Sequence, residues 1–139
     1  PLFSLWIDHS GAGPKEYAYI IAPGIERSES AAYVQDHGVE IVANAGEVQA
    51  VWHGGLRQLQ AVFWKADSVT TPTGVTVTVD APVMLLVKER QDGFEVTAGS
   101  LERKPGDATV RIAFGDGAVE ELFTFPEGDY LGRSVTKRM

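Results

Sequence analysis

Cysteine is absent from the 139 residues, which excludes disulfide bonds, thiolate catalysis and cysteine-ligated zinc. Long apolar runs are absent too: no stretch approaches the roughly 20 residues of a transmembrane helix, and no basic-then-apolar signal segment opens the chain. Basic charge is scarce, because twelve Lys and Arg stand against nineteen Asp and Glu, for a formal net charge of -7. We therefore expect neither nucleic acid nor a membrane among the partners.

The composition that remains is that of a folded globular chain. Hydrophobic residues make up 44% and charged residues 22%, which is enough apolar material for a core. The length fits one domain, or one domain with an attached piece. Because the chain opens at Pro1 directly in a strand-like segment, we expect a fragment or a processed chain.

Apolar and polar residues alternate in short runs that recur about every ten residues, with turn residues between them. This pattern predicts an all-β protein with an antiparallel β-sandwich. Residues 83–87 are apolar on both faces, which predicts a central strand. Residues 28–34 favour a short helix capped by Ser28, and the basic segment 133–138 is predicted to be a solvated tail. The predicted strands cover residues 3–9, 17–22, 39–43, 48–52, 59–65, 75–80, 83–89, 94–97, 109–114 and 119–125.

The histidines and acidic residues give no pattern of metal ligands or catalytic groups. His9, His37 and His53 are far apart in sequence, so we expect each to be bonded individually and predict no metal site. Asp8 and His9 are neighbours on a strand and point to opposite faces, so they form no acid–base pair. We expect Asp8, with His9, to be a structural turn residue that binds backbone N–H groups. No nucleotide-binding loop occurs, and no cofactor is expected.

Three tryptophans remain as candidates for ligand binding. Trp6, Trp52 and Trp64 have indole rings large enough to stack on the apolar face of a sugar ring. Most tryptophans in sandwiches fill the core instead. The alternation nevertheless places Trp6 and Trp64 opposite the apolar faces of their strands, so at least one of the two is expected to be exposed.

Several segments resemble polysaccharide lyase family 8, which contains the hyaluronate, chondroitin AC and xanthan lyases. The resemblance is carried by FSLWIDH at residues 3–9, EYAYIIAPG at residues 16–24, VEIVAN at residues 39–44 and VQAV at residues 48–51. Ser10 stands where the family usually has glycine. Over the rest of the chain the resemblance is general.

The resemblance implies an architecture and a role. Residues 1–37 would be the last strands of the central β-sandwich domain, and residues 38–139 would form the C-terminal β-sandwich domain. The family cleaves uronate-containing polysaccharides by β-elimination, and its catalytic residues lie in a helical domain. No residue of this chain, including His9 and Tyr19, therefore inherits a catalytic role.

We accordingly expect this chain to be part of a secreted bacterial lyase. In that lyase it would have a supporting role or would frame the substrate. Its partner would be the helical catalytic domain, on the same or a separate chain, and a polysaccharide is a further candidate partner. One alternative is an independent carbohydrate-binding module that uses Trp6, Trp52 or Trp64. Another is a structural domain for adhesion or assembly.

Overall fold

A computed structural model of the chain describes residues 19–139. Contacts divide the chain into two compact units, Pro1–Asp36 and His37–Met139. The predicted strand at residues 3–9, with Trp6, Asp8 and His9, lies outside the described residues, so the first unit is described only over residues 19–36.

The regular element of residues 19–36 is a short helix, α1 (Ser30–Gln35). It begins two residues later than predicted, and its N-cap is Glu29 without a side-chain cap hydrogen bond, so Ser28 is not the cap. The hydroxyl of Ser30 donates to the carbonyl of Arg27 at 2.7 Å. The prediction of a strand at residues 17–22 is wrong over its described part, because residues 19–22 pair with no strand among the described residues.

The second unit consists of strands, with one short 3-10 helix at Gly128–Tyr130. All strand pairs are antiparallel. The strands are β1 (Val39–Asn44), β2 (Val48–His53), β3 (Gln58–Phe63), β4 (Asp67–Thr70), β5 (Thr76–Val79), β6 (Val83–Arg90), β7 (Gly93–Ser100), β8 (Gly106–Phe114), β9 (Gly117–Phe125) and β10 (Val135–Arg138).

These strands form two sheets that pack face to face. The six-stranded sheet has the order β1-β2-β3-β6-β7-β10, and the four-stranded sheet has the order β4-β5-β8-β9. One core cluster contains side chains from both sheets, among them Phe63, Val87, Ile112 and Phe123. The predicted antiparallel β-sandwich is therefore confirmed.

Alternation with a period of two decides which side chains enter the core. On β3, Leu59, Ala61 and Phe63 are buried, while Gln60 between them is exposed. The neighbouring strand β6 repeats the pattern with Val83, Leu85 and Val87, and it lies between β3 and β7, as the prediction of a central strand requires. The other face of β6, however, is not covered by the described residues, because Met84 and Leu86 are exposed.

The structure corrects the predicted solvated tail. The segment forms β10, which pairs with β7 in the register Val135↔Ala98 to Arg138↔Glu95. Val135 and Met139 pack against the core, and Phe94 and Met139 exchange two backbone hydrogen bonds of 2.9 Å. The basic residues misled the prediction, because a strand at the edge of a sheet can carry charge on its exposed positions.

One lysine of β10 joins the two sheets. The Lys137 ammonium group donates to the Glu121 carboxylate at 2.9 Å and to the Leu122 carbonyl at 2.7 Å, both on β9. It also lies 5.5 Å from the centre of the Phe123 ring.

The prediction also missed β4, whose four residues contain a single buried side chain, that of Val69. Such a short strand shows little alternation.

Candidate carbohydrate-binding surface

Both described histidines have local structural partners. Nδ1 of His37 accepts the backbone N–H of Val39 at 3.0 Å, and Nδ1 of His53 accepts the backbone N–H of Leu56 at 3.3 Å. Within residues 19–139, no group of three His, Asp or Glu side chains is arranged to hold a metal ion. The described histidines thus order the chain around β1 and the β2–β3 turn.

Trp52 lies in the core, which corrects its prediction as a sugar-stacking residue. It is only 4% exposed, and it shares the inner face of β2 with Val48 and Ala50. A buried indole presents no free face to a sugar ring. The sequence carried the signal, because Val48, Ala50 and Trp52 are spaced two residues apart and must point to the same side of the strand.

Trp64 lies on the outer surface, where the alternation predicts it. Its side chain is 52% exposed and follows the last residue of β3, the fully buried Phe63. The indole Nε1–H donates to Oε1 of Gln49 at 2.7 Å. The Gln49 amide in turn donates to the Ala45 carbonyl at 2.5 Å. These two hydrogen bonds fix the orientation of an exposed aromatic ring, which lowers the entropy lost when a ligand stacks on it.

Polar groups surround the Trp64 indole. The backbone N–H of Trp64 donates to the Glu47 carbonyl at 2.9 Å. The Glu47 carboxylate accepts from the Lys65 ammonium group at 3.2 Å, and both side chains are largely exposed. A fixed apolar ring beside exposed hydrogen-bonding groups matches the chemistry of a sugar, which has an apolar C–H face and a polar edge.

The outer surface of the six-stranded sheet carries several apolar side chains. Cross-strand pairs place Ile41 opposite Val51 and Val62 opposite Met84, and Leu86 lies on the same side of β6 as Met84. We call this surface the outer apolar face. It consists of Ile41, Val51, Val62, Trp64, Met84 and Leu86.

A buried carboxylate that the sequence analysis missed lies at one end of the sandwich. Glu89, at the end of β6, is 9% exposed and forms an ion pair with Arg57 in the β2–β3 turn. Its other oxygen accepts from the Thr73 hydroxyl at 2.5 Å, and Thr73 bonds to Thr71 at 2.7 Å. The signal was present, because Glu89 continues the inward-facing series of Val83, Leu85 and Val87.

The Glu89 cluster is a structural tie between the sheets. Thr71 and Thr73 belong to the connection between β4 and β5, on the four-stranded sheet, whereas Glu89 and Arg57 belong to the six-stranded sheet. Among the residues that the structure describes, no buried side-chain nitrogen or oxygen lacks a hydrogen-bond partner. A carboxylate whose oxygens are both engaged is poorly placed to act on a substrate.

A comparison with known protein families matches part of the second unit. Residues 40–100 match the domain described as "Polysaccharide lyase family 8, C-terminal beta-sandwich domain". The resemblance to the C-terminal β-region of family 8 is thereby confirmed.

The individual relatives are bacterial lyases. The chain is 30% identical over 138 residues to chondroitinase-AC of Pedobacter heparinus, covering 96% of this chain and 19% of the relative. It is 32% identical over 91 residues to xanthan lyase of Bacillus sp. strain GL1, covering 64% of this chain and 9% of the relative. The chain thus spans less than a fifth of the curated relatives it matches.

Two solved structures share the fold. A chondroitinase AC lyase, studied as enzyme–oligosaccharide complexes, superimposes with a TM-score of 0.73 at 23% identity, over 83% of this chain and 17% of that one. A chondroitin AC lyase variant from Streptomyces coelicolor A3 superimposes with a TM-score of 0.58 at 24% identity, over 82% of this chain and 15% of that one. At this identity the likeness concerns the fold.

Proposed function

We propose that this chain is the C-terminal β-sandwich part of a secreted bacterial polysaccharide lyase that cleaves uronate-containing polysaccharides by β-elimination. Residues 1–37 would be the last strands of its central β-sandwich domain, and residues 38–139 its C-terminal domain. The observation that carries the proposal is the match of residues 40–100 to the family 8 C-terminal domain, within relatives more than five times as long.

The role of this part is to support the lyase, and it contributes no catalytic residue of its own. Elimination needs a group that neutralises the uronate carboxylate, a base for the C5 proton and an acid for the leaving oxygen. The described residues offer a buried, ion-paired Glu89 and histidines that accept backbone N–H groups. A net charge of -7 also repels a polyanionic substrate. The helical catalytic domain is therefore the proposed partner.

Lyase activity should be absent from the isolated chain. We expect no rise in the ultraviolet absorbance of unsaturated uronate when the chain is incubated with hyaluronan, chondroitin or xanthan. The full-length protein that contains the chain should release the unsaturated product from at least one of them. Product release by the chain alone would disprove the supporting role, and an inactive full-length protein would disprove the lyase assignment.

A second candidate function, an independent carbohydrate-binding module, is favoured by one observation. Trp64 presents a half-exposed indole whose N–H donates to Gln49, and the Gln49 amide is itself anchored on the Ala45 carbonyl. Such a ring would stack on a pyranose of the polysaccharide. In this proposal Trp6 is a second tryptophan whose ring would stack on a sugar.

The binding candidate is tested by calorimetric titration with chondroitin, hyaluronan and xanthan oligosaccharides at physiological salt. We expect Trp64→Ala to weaken binding at least about tenfold, equivalent to ~1.4 kcal/mol. Gln49→Ala should weaken it less, because the ring remains but loses its fixed orientation. Leu122→Ala, on the other sheet, is the matched control and should bind normally. The absence of saturable binding by the native chain would eliminate this function.

A further inference from the structure

We propose that the outer apolar face is the surface on which this sandwich docks onto the part of the lyase that lies outside this chain. The inference rests on the proposed function, because it takes the remainder of a family 8 lyase as the partner. It assigns the supporting role to one side of one sheet.

The outer apolar face is too apolar to be an ordinary solvated surface. The large side chains of Ile41, Met84 and Leu86 are 49%, 44% and 36% exposed on the outer side of one sheet. Ile41 adjoins Val51, and Met84 adjoins Val62. Gln60 lies between Val51 and Leu86. The other side of that sheet already contributes to the core. Contiguous exposed apolar side chains on a folded domain mark interaction surfaces, whereas isolated ones do not.

The outer side of the four-stranded sheet provides an internal comparison. Its paired outward positions carry hydroxyl and charged groups, as in Ser68↔Thr78 and Arg111↔Glu120. Leu122, which is 50% exposed and pairs with Thr109, is an isolated large apolar residue on that side. The outer side of the six-stranded sheet exposes Ile41, Met84 and Leu86, so it exposes more large apolar side chains than the outer side of the four-stranded sheet.

Two ion pairs lie at opposite ends of the sheet that bears the outer apolar face. Lys65 and Glu47 lie 3.2 Å apart beside Trp64, and Arg90 and Glu95 lie 2.9 Å apart at the opposite end of the sheet. An apolar centre with ion pairs at its margin is the usual arrangement of a protein interface.

Chain length and connectivity identify the occupant. The chain covers 19% of the chondroitinase-AC relative, so most of such a lyase lies outside it. β1 is both the first strand of the second unit and an edge strand of the six-stranded sheet, and it carries Ile41. The chain therefore enters this unit at the sheet that bears the outer apolar face.

Radical footprinting of the isolated chain and of the full-length lyase tests the proposal without any substitution. We expect labelling of Met84 and Leu86 to fall at least about fivefold in the full-length protein, because docking buries them. Leu122 should be labelled equally in both proteins. Equal labelling of Met84 and Leu86 in both proteins would overturn the proposal.

A matched pair of substitutions gives the energetic test. Leu86→Lys and Leu122→Lys each place a charge at an exposed leucine, so both should leave the melting temperature of the isolated chain nearly unchanged. In the full-length lyase, we expect only Leu86→Lys to accelerate proteolytic release of the sandwich, by about tenfold, as for a residue at the buried centre of an interface. Equal release rates for the two variants would contradict the proposal.

Two further outcomes separate this inference from its alternatives. If light scattering shows a dimer of the isolated chain that Leu86→Lys dissociates, while the full-length protein is unaffected, the occupant is a second copy and the proposal fails. If the full-length protein has no lyase activity but Met84 is still protected in it, the docking surface stands and the proposed function fails.

Discussion

Replacing Phe63 with alanine should lower the free energy of unfolding by about 3–5 kcal/mol, as expected for truncating a fully buried phenylalanine. Phe63 is 0% exposed and is one of the largest side chains in the core. It pairs across the sheet with Val48 and Val83, which are also buried. Urea unfolding followed by far-ultraviolet circular dichroism would measure the loss.

The neighbouring residue is the matched control for this prediction. Trp64 is larger than Phe63 but points to the opposite side of the sheet and is 52% exposed. Trp64→Ala should therefore cost less than about 1 kcal/mol, in line with surface substitutions. If Trp64→Ala were the more destabilising of the two, β3 would be shifted by one residue, and both Trp64 proposals would lose their basis.

Replacing Arg57 with alanine should lower the free energy of unfolding by about 2–4 kcal/mol, because it leaves the Glu89 carboxylate buried without its cationic partner. Arg57 has a positive φ of 49°. Alanine also carries a Cβ, so the backbone cost of that conformation is similar in both proteins. The change should thus report mainly the loss of the ion pair.

A double-mutant cycle isolates this effect. In the Glu89→Gln background, the buried group is neutral and keeps an oxygen that can accept from Thr73. Arg57→Ala should then cost at least about 1 kcal/mol less than in the native protein. Chemical denaturation at neutral pH measures all four proteins. Equal costs in the two backgrounds would show that Arg57 and Glu89 are not energetically coupled.

Local alternation predicted most of the sandwich but failed where tertiary pairing decides the structure. β5 was predicted because Val75, Val77 and Val79 alternate with polar residues, and β6 because residues 83–87 form a short run that is apolar on both faces. β4 is too short to show that pattern. β10 was missed because its Lys137 and Arg138 resemble a solvated tail, while its position depends on β7, which lies far away in sequence.

The same limit applies to the candidate surface. Alternation correctly placed Trp64 outside, and applied to β2 it would have placed Trp52 inside. The outer apolar face was not predicted, because its residues come from four strands and adjoin only through cross-strand pairs such as Ile41↔Val51 and Val62↔Met84. Such pairing depends on both strands and is not visible in either one alone.

The hydrogen bonds from Lys137 to β9 also affect whether two molecules can associate through the edges of their sheets. An edge strand with free carbonyl groups is a template on which another chain can add a strand, which is how sheet proteins aggregate. In this sandwich the carbonyl of Leu122 is already occupied by an ammonium group from β10. A second molecule that extends the sheet through this part of β9 must first displace a charged side chain, so the fold protects this edge from aggregation.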